Sequence, residues 1–224
     1  MWTTGNRIKI LTGHYGSGKT ELALNMARSI QRSGFRTTLV DLDIVNPFFR
    51  SAEQGAWLDA NNVRLLAPTF ALTAVDIPAL PAQIQSVFSD NELRVVFDVG
   101  GDDAGALALG RYNRYFQSSG CDLIYVVNIF RPRSGSVQEI TDMMKRVCES
   151  ARLTPTGLIN NSNLGELTDQ KTLDEGHTLL QAVAHETGLP LLADSAAVSG
   201  LLPNPDGTPF FPIERITKPE WMEL

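Results

Sequence analysis

Gly13-His14-Tyr15-Gly16-Ser17-Gly18-Lys19-Thr20 satisfies every fixed position of the pattern G-x-x-x-x-G-K-[ST]. The chemistry follows from the residue types. Glycines let the chain curl so that successive backbone N–H groups converge on a polyphosphate. Lysine then reaches the terminal phosphates, and a hydroxyl completes the shell of Mg²⁺. The stretch Arg7 to Thr12 (RIKILT) before the loop reads as a strand. After it, Leu22, Met26 and Ile30, flanked by Ala23 and Ala27, recur at helical spacing. Strand, glycine loop and helix in that order form the context the motif requires. The expected nucleotide cradle is Gly13 to Thr20, with Glu21 next to it on the helix.

Working outward, strand-like and helix-like segments alternate. Strands are expected at Arg36–Asp41, Val63–Ala67, Arg94–Asp98, Leu123–Asn128, Thr156–Asn160 and Leu189–Ala193. Helices are expected at Ser51–Leu58, Pro78–Phe88, Ala104–Gln117, Ser136–Arg152 and Thr172–Thr187. Apolar strands separated by helices predict an α/β fold: three layers, Rossmann-like, with a mostly parallel sheet of about seven strands. Residues 1–200 read as one domain. From Leu201 onward the chain holds five of its twelve prolines together with Phe210, Phe211, Ile213 and Trp221. That composition predicts a tail wrapped over the domain in extended form.

Ligands of such sheets gather at the carboxyl ends of the strands, and those ends carry Gly13, Asp41, Asp98, Asn128 and Asn160. Asp98, leaving an apolar strand, suits a carboxylate that accepts hydrogen bonds from magnesium waters while Thr20 binds the metal directly. Asp41 would support the same shell. Asp43 is the candidate for orienting an attacking water, and Gly101 would present a backbone N–H to the γ-phosphate. Asp102 to Gly105 is small and suits a loop that changes shape when that phosphate leaves.

The order GHYGSGKT, VDLDIVNPFFR, VVFDVGGDDAG and GLINNSN resembles the SIMIBI class of P-loop NTPases over about residues 7 to 194. The MinD/ParA/Mrp branch and the nitrogenase iron protein are the groups it is most similar to. The resemblance implies Mg-ATP binding, and hydrolysis tied to a homodimer with nucleotides at its interface. Asp98-Val99-Gly100-Gly101-Asp102 is similar to that iron protein's D-V-L-G-D switch, and Gly157 to Ser162 to its G-L-I-C-N-S segment. By that match Asn161 contacts the adenine through its amide, which both donates and accepts.

Departures from the family pattern bear equally on function. His14 stands where the family's signature lysine reaches the partner's nucleotide, and Tyr15 where glycine is common. Arg50, Arg131 and Arg133 are alternative charge-stabilising residues. The switch position that carries a cluster cysteine in the iron protein is Gly105 here, so no Fe–S cluster is expected. Asn128-Ile129-Phe130-Arg131 lacks the lysine and aspartate of the guanine-reading N-K-x-D element, which favours ATP over GTP.

The 224 residues are 43% hydrophobic and 20% charged, with a net charge of −6. That balance opposes a nucleic-acid-binding surface, which needs a basic stripe. With no long apolar run, signal peptide or basic amphipathic tail, a cytoplasmic protein without a membrane anchor is expected. Cys121 and Cys148 read as small buried hydrophobes rather than a disulfide scaffold or zinc site. His177 and His185, two helical turns apart, read as surface residues without chemistry.

The first expectation for function is a slow ATPase that switches an unidentified partner protein. An ATP-dependent ligase that activates a carboxylate is the second, in the manner of dethiobiotin synthetase or the cobyrinic-acid amidating enzymes. Its acid pocket would lie among Pro47 to Arg50, Pro68 to Asp76 and Arg111. The third is an ATP-binding interaction module without useful hydrolysis.

Overall fold

A computed structural model describes residues 1–42, 54–67, 82–101 and 103–217. Its strands are β1 (Ile8–Thr12), β2 (Thr37–Asp41), β3 (Val63–Leu66), β4 (Arg94–Asp98), β5 (Asp122–Val127), β6 (Gly157–Asn160), β7 (Leu191–Ala196) and β8 (Phe210–Pro212). Its helices are α1 (Lys19–Arg32), α2 (Gly55–Ala60), α3 (Ala82–Ser89), α4 (Asp103–Ser119), α5 (Val137–Ala151) and α6 (Gln170–Thr187). Among the described residues the strands form one sheet in the order β3-β2-β4-β1-β5-β6-β7-β8, and every adjacent pair is parallel.

The α/β layering is as the sequence predicts, with one strand more than expected. Phe210–Pro212 joins the edge, pairing Asp194 with Phe210 and Ala196 with Pro212. Proline interrupts a ladder and is tolerated at a sheet edge, so a segment flanked by Pro209 and ending on Pro212 belongs there. Expected boundaries move in places: β7 starts at Leu191 rather than Leu189 and runs on to Ala196, and α6 starts two residues early, at Gln170. An Asp169/Thr172 capping box fixes that second start, with Asp169 accepting from Thr172 N at 2.8 Å.

Side chains alternate across the sheet with the period of two that strands impose. Ile8, Ile10, Phe97, Tyr125 and Leu158 face α3, α4, α5 and α6, meeting Phe88, Leu109, Tyr112, Phe116, Met144 and Leu180. Leu11, Leu39, Val96, Ile124, Val126 and Ile159 face the other way, onto Leu22, Met26 and Ile30 of α1 and Leu58 of α2. Trp2, Phe211 and Ile213 complete that second layer, with the Trp2 and Phe211 rings edge to face at 5.2 Å. The tail is thus part of a core.

β1 lies inside the sheet between β4 and β5. The loop at its carboxyl end therefore opens between the ends of two neighbouring strands, where ligands of such folds gather. Asp43, Arg50, Asp102 and the stretches Pro47 to Arg50 and Pro68 to Asp76 lie outside the described residues. No described helix is long and apolar enough to cross a membrane.

Candidate functional site

The loop between β1 and α1 is held by its own backbone and by two neighbours. Ser17 N donates to His14 O at 3.1 Å. Gly18 precedes α1 with φ at +85°, a conformation that favours glycine. A Cβ there would stand 2.2 Å from Asn161 Nδ2. No side chain caps α1, so the N–H groups of its first turn face the loop and form an anion-binding end. Lys19, buried, turns its Nζ back across the loop to 3.5 Å from His14 O.

Two carboxylates stand at the strand ends beside this loop. Asp41 and Asp98 are direct register partners on β2 and β4, 3% and 0% exposed. Asp98 also lies opposite Leu11, two residues before the loop begins, and its carbonyl accepts from Leu42 N at 2.8 Å. Thr20, Asp41 and Asp98 carry hydroxyl and carboxylate oxygens, the hard ligand type that Mg²⁺ prefers.

Gly101 follows β4 by three residues and is pressed against the loop. A Cβ added to it would meet Gly13 O at 2.1 Å, the carbonyl carbon of His14 at 2.9 Å and Lys19 Nζ at 2.9 Å. The chain leaving Asp98 is therefore in backbone contact with the loop.

β6 supplies the opposite wall. Asn161 is buried, its Nδ2 donating to Ser17 O at 2.8 Å and its Oδ1 accepting from Ser195 Oγ at 3.0 Å. It is stitched to the loop that precedes α1. Asn128 is spent on a similar tie, accepting from Phe130 N and Asn163 N and donating to Asn163 O.

Of the arginines named from sequence, Arg131 alone among the described residues is tied to the loop. Its Nε donates to Gly16 O at 3.0 Å. Arg133 is exposed and carries a positive φ of 60°. His14 Nδ1 lies 2.9 Å from Tyr15 O, a contact within its own loop, while Tyr15 is 64% exposed.

Of these groups, Tyr15, Gly16, Gly18, Lys19, Thr20, Arg131 and Asn161, with Glu21, line a cavity of about 480 Å³, whereas Gly13, His14, Asp41, Asp98 and Gly101 are not among its lining residues. The size suits a small-molecule ligand. Gly165, Glu166 and Thr168, after β6, and Ile213, Arg215 and Thr217, in the tail, extend its lining. The loop reading did not reach these residues, because their place depends on contacts between distant parts of the chain.

The two cysteines stand apart from this site. Cys148 is buried and Cys121 half-buried, and burial pushes both thiols up to about 11. His177 corrects the expectation of a surface residue. It is 5% exposed, with Nδ1 2.8 Å from Asp194 Oδ2 and Nε2 3.3 Å from Asp206 Oδ2. Asp194 continues inward to Asn160 Nδ2 at 2.8 Å. His185 is exposed.

Comparison with known proteins agrees with this geometry. The family described as the CobQ/CobB/MinD/ParA nucleotide binding domain (CbiA) matches residues 8–194. No curated protein matches the chain. Solved structures with the same fold include FtsY from Mycoplasma mycoides, at 17% identity and a TM-score of 0.55 over 85% of this chain and 59% of that one. FtsY from Thermotoga maritima aligns at 15% identity and a TM-score of 0.54, over 90% and 64%. FlhF, solved with GTP/Mg(2+), aligns at 13% identity and a TM-score of 0.55, over 84% and 64%. The chain spans about three-fifths of the length of these structures. The chain belongs to the CobQ/CobB/MinD/ParA nucleotide-binding domain family, within the SIMIBI class of P-loop NTPases.

Proposed function

We propose that the protein binds Mg-ATP, hydrolyses it slowly as a homodimer, and acts as a nucleotide-controlled switch on a partner protein. The observation that carries this reading is the backbone contact of Gly101 with Gly13 and His14, beside Lys19 Nζ. It joins the strand bearing Asp98 to the loop that would hold the phosphates. A change at the terminal phosphate would then be felt at once by the segment that follows Gly101.

In this reading the loop amides and Lys19 neutralise the β- and γ-phosphates. Thr20 and Asp98 hold the metal, with Asp41 supporting its shell. Mg²⁺ would supply charge neutralisation on the phosphate oxygens. Asp43 orients the attacking water, and Gly101 offers its N–H to the γ-phosphate. Catalysis is then positioning and electrostatics, with little covalent chemistry from the protein. Arg131, tied to Gly16 and lining the same cavity, would supplement Lys19 in positive charge. Among the described residues the Asn161 amide bonds to Ser17 and Ser195, and its second N–H and second lone pair are the groups an adenine edge would use.

Adenine is preferred to guanine because Asn128 to Arg131 lacks the acidic side chain that would accept from a guanine's amino group. Isothermal calorimetry of the purified chain with Mg-ATP and Mg-GTP tests this directly. The expected result is ATP binding in wild type, none in Lys19→Ala, and retained binding without phosphate release in Asp43→Ala. Flat traces with every nucleotide would end the proposal, and tighter binding of GTP would reverse the choice of base. Equal phosphate release from wild type and the Asp43 variant would remove the water-positioning role.

A further inference from the structure

The family match ends at Asp194, and that residue helps to fasten a loop lying outside the match. Residues 197–209, between β7 and β8, are tied to one stripe of α6. Gln170 grips Leu202 twice, its Oε1 accepting from Leu202 N at 2.9 Å and its Nε2 donating to Leu202 O at 3.3 Å. Seven residues on, His177 meets the loop. Four residues further, Gln181 Nε2 donates to Asp206 Oδ2 at 2.6 Å. Spacings of seven and four keep the three side chains on one face of the helix.

The middle tie differs from the other two because it involves charge. His177 Nδ1 is 2.8 Å from Asp194 Oδ2, and its Nε2 is 3.3 Å from Asp206 Oδ2. Asp194, on β7, also accepts from Asn160 Nδ2 of β6 and from Asn204 Nδ2 of the loop, both at 2.8 Å. Asp206 accepts from Thr208 N and from Thr208 Oγ1, each at 2.9 Å. The Thr208 backbone N–H is the main cause that holds its carboxyl below the ordinary value. Among the described residues no lysine or arginine pairs with either carboxylate, and His177 stands between them.

A neutral imidazole has one N–H and one lone pair, and a lone pair turned on a carboxylate is repelled. Both ring nitrogens here face carboxylate oxygens. The doubly protonated ring therefore satisfies both contacts, and the neutral ring only one. The two contacts are unequal. Asp194 is fully buried and cannot turn to water, whereas the Asp206 side chain is 36% exposed and has Gln181, Thr208 and solvent as partners. A ring with a single proton keeps it on Nδ1, toward Asp194, and lets go of Asp206.

We propose that His177 is a pH-operated latch: its imidazolium pins residues 201–208 to α6, and loss of one proton releases Asp206 and loosens that loop. Ala197 and Val198, at the start of the same loop, line the cavity, so the latch also sets how firmly that wall is held. It works in the same way whichever ligand the cavity takes.

Amide hydrogen exchange of the full chain from about pH 5.5 to about pH 8.5, corrected for intrinsic rate, spans the range over which histidine changes charge. Protection at residues 201–208 should fall about tenfold across that range, the effect of losing one charge-assisted hydrogen bond. Protection in β1 and β5 should stay level. In His177→Gln, which has no proton to lose, the fall should vanish, although His14 and His185 remain in place. Asp206→Asn keeps the ring and removes the carboxylate at an exposed position, leaving the core intact. Its protection at low pH should drop toward the high-pH level of wild type. Protection constant with pH in wild type overturns the latch, and so does a fall that persists undiminished in either variant. If the glutamine variant does not fold, the asparagine variant decides alone.

Discussion

Gly101 sits so close to Gly13 that a methyl group on it would lie 2.1 Å from the Gly13 carbonyl oxygen. Real carbon atoms do not approach an oxygen that closely, and the obstacle is backbone that cannot swing aside. Gly101→Ala must therefore push the chain after Asp98 away from the loop. Overpacking of this kind costs about 1–3 kcal/mol. Circular dichroism should show secondary structure retained, while calorimetry shows nucleotide affinity lowered at least about tenfold. An alanine variant that binds as wild type would mean the two segments are not in contact in solution.

The thiols give a prediction independent of any ligand. Burial raises Cys121 and Cys148 from an ordinary value of 9.0 to about 11. Two units mean about a hundredfold less thiolate at any pH below both values, and thiolate is the reactive form. Iodoacetamide at pH 8 should thus label the folded protein about a hundredfold more slowly than the same protein in denaturant. Comparable rates in the two states would contradict the burial of both side chains.

What the sequence disclosed follows from how local each signal is. The loop, the helix after it and the carboxylate at the end of β4 are contiguous patterns, and their spacing alone places them at one end of a parallel sheet. β8 was hidden because Pro209 precedes it and Pro212 ends it, and proline argues against a strand except at an edge. The ties of Ile216 and Thr217 to Glu21 span 195 and 196 residues, a separation at which no pattern operates. His177 was legible and misread. It lies four residues after Leu173 and three before Leu180, both fully buried, on the stripe that α6 turns inward. Its partners Asp194 and Asp206 made that burial tolerable, and they come from other elements.

Acid should loosen residues 213–217, which are tied to α1 through Asn25 and Arg28, before it unfolds the protein. Arg28 holds the Glu214 carboxyl below its ordinary value of 4.5, chiefly through their hydrogen bond. A carboxyl whose folded value is depressed contributes its stabilisation in full above the unfolded value. That contribution is lost as pH falls through the lowered folded value. Because Glu214 is largely exposed, the effect is local and screened by salt. Hydrogen exchange at residues 213–217, corrected for intrinsic rate, should show protection constant above about pH 5 and declining below it. Glu214→Gln should flatten that decline. A decline unchanged in the glutamine variant would assign it to another group.

His177 carries the last prediction. It fills a buried position between Asp194, which is fully buried, and Asp206, at the rim. Truncation to alanine removes the Nδ1 donor from Asp194 Oδ2 and leaves that oxygen with Asn204 Nδ2, 2.8 Å away, as its remaining partner from the tail. A buried acceptor that loses a partner, together with the space left by the ring, costs about 2–3 kcal/mol. Urea unfolding should show that loss as a lower midpoint with an unchanged slope, since the surface exposed on unfolding stays the same. His177→Asn, which keeps a donor but shortens its reach, should recover part of the midpoint. A midpoint unmoved by the alanine substitution would contradict the burial of His177 between the two carboxylates.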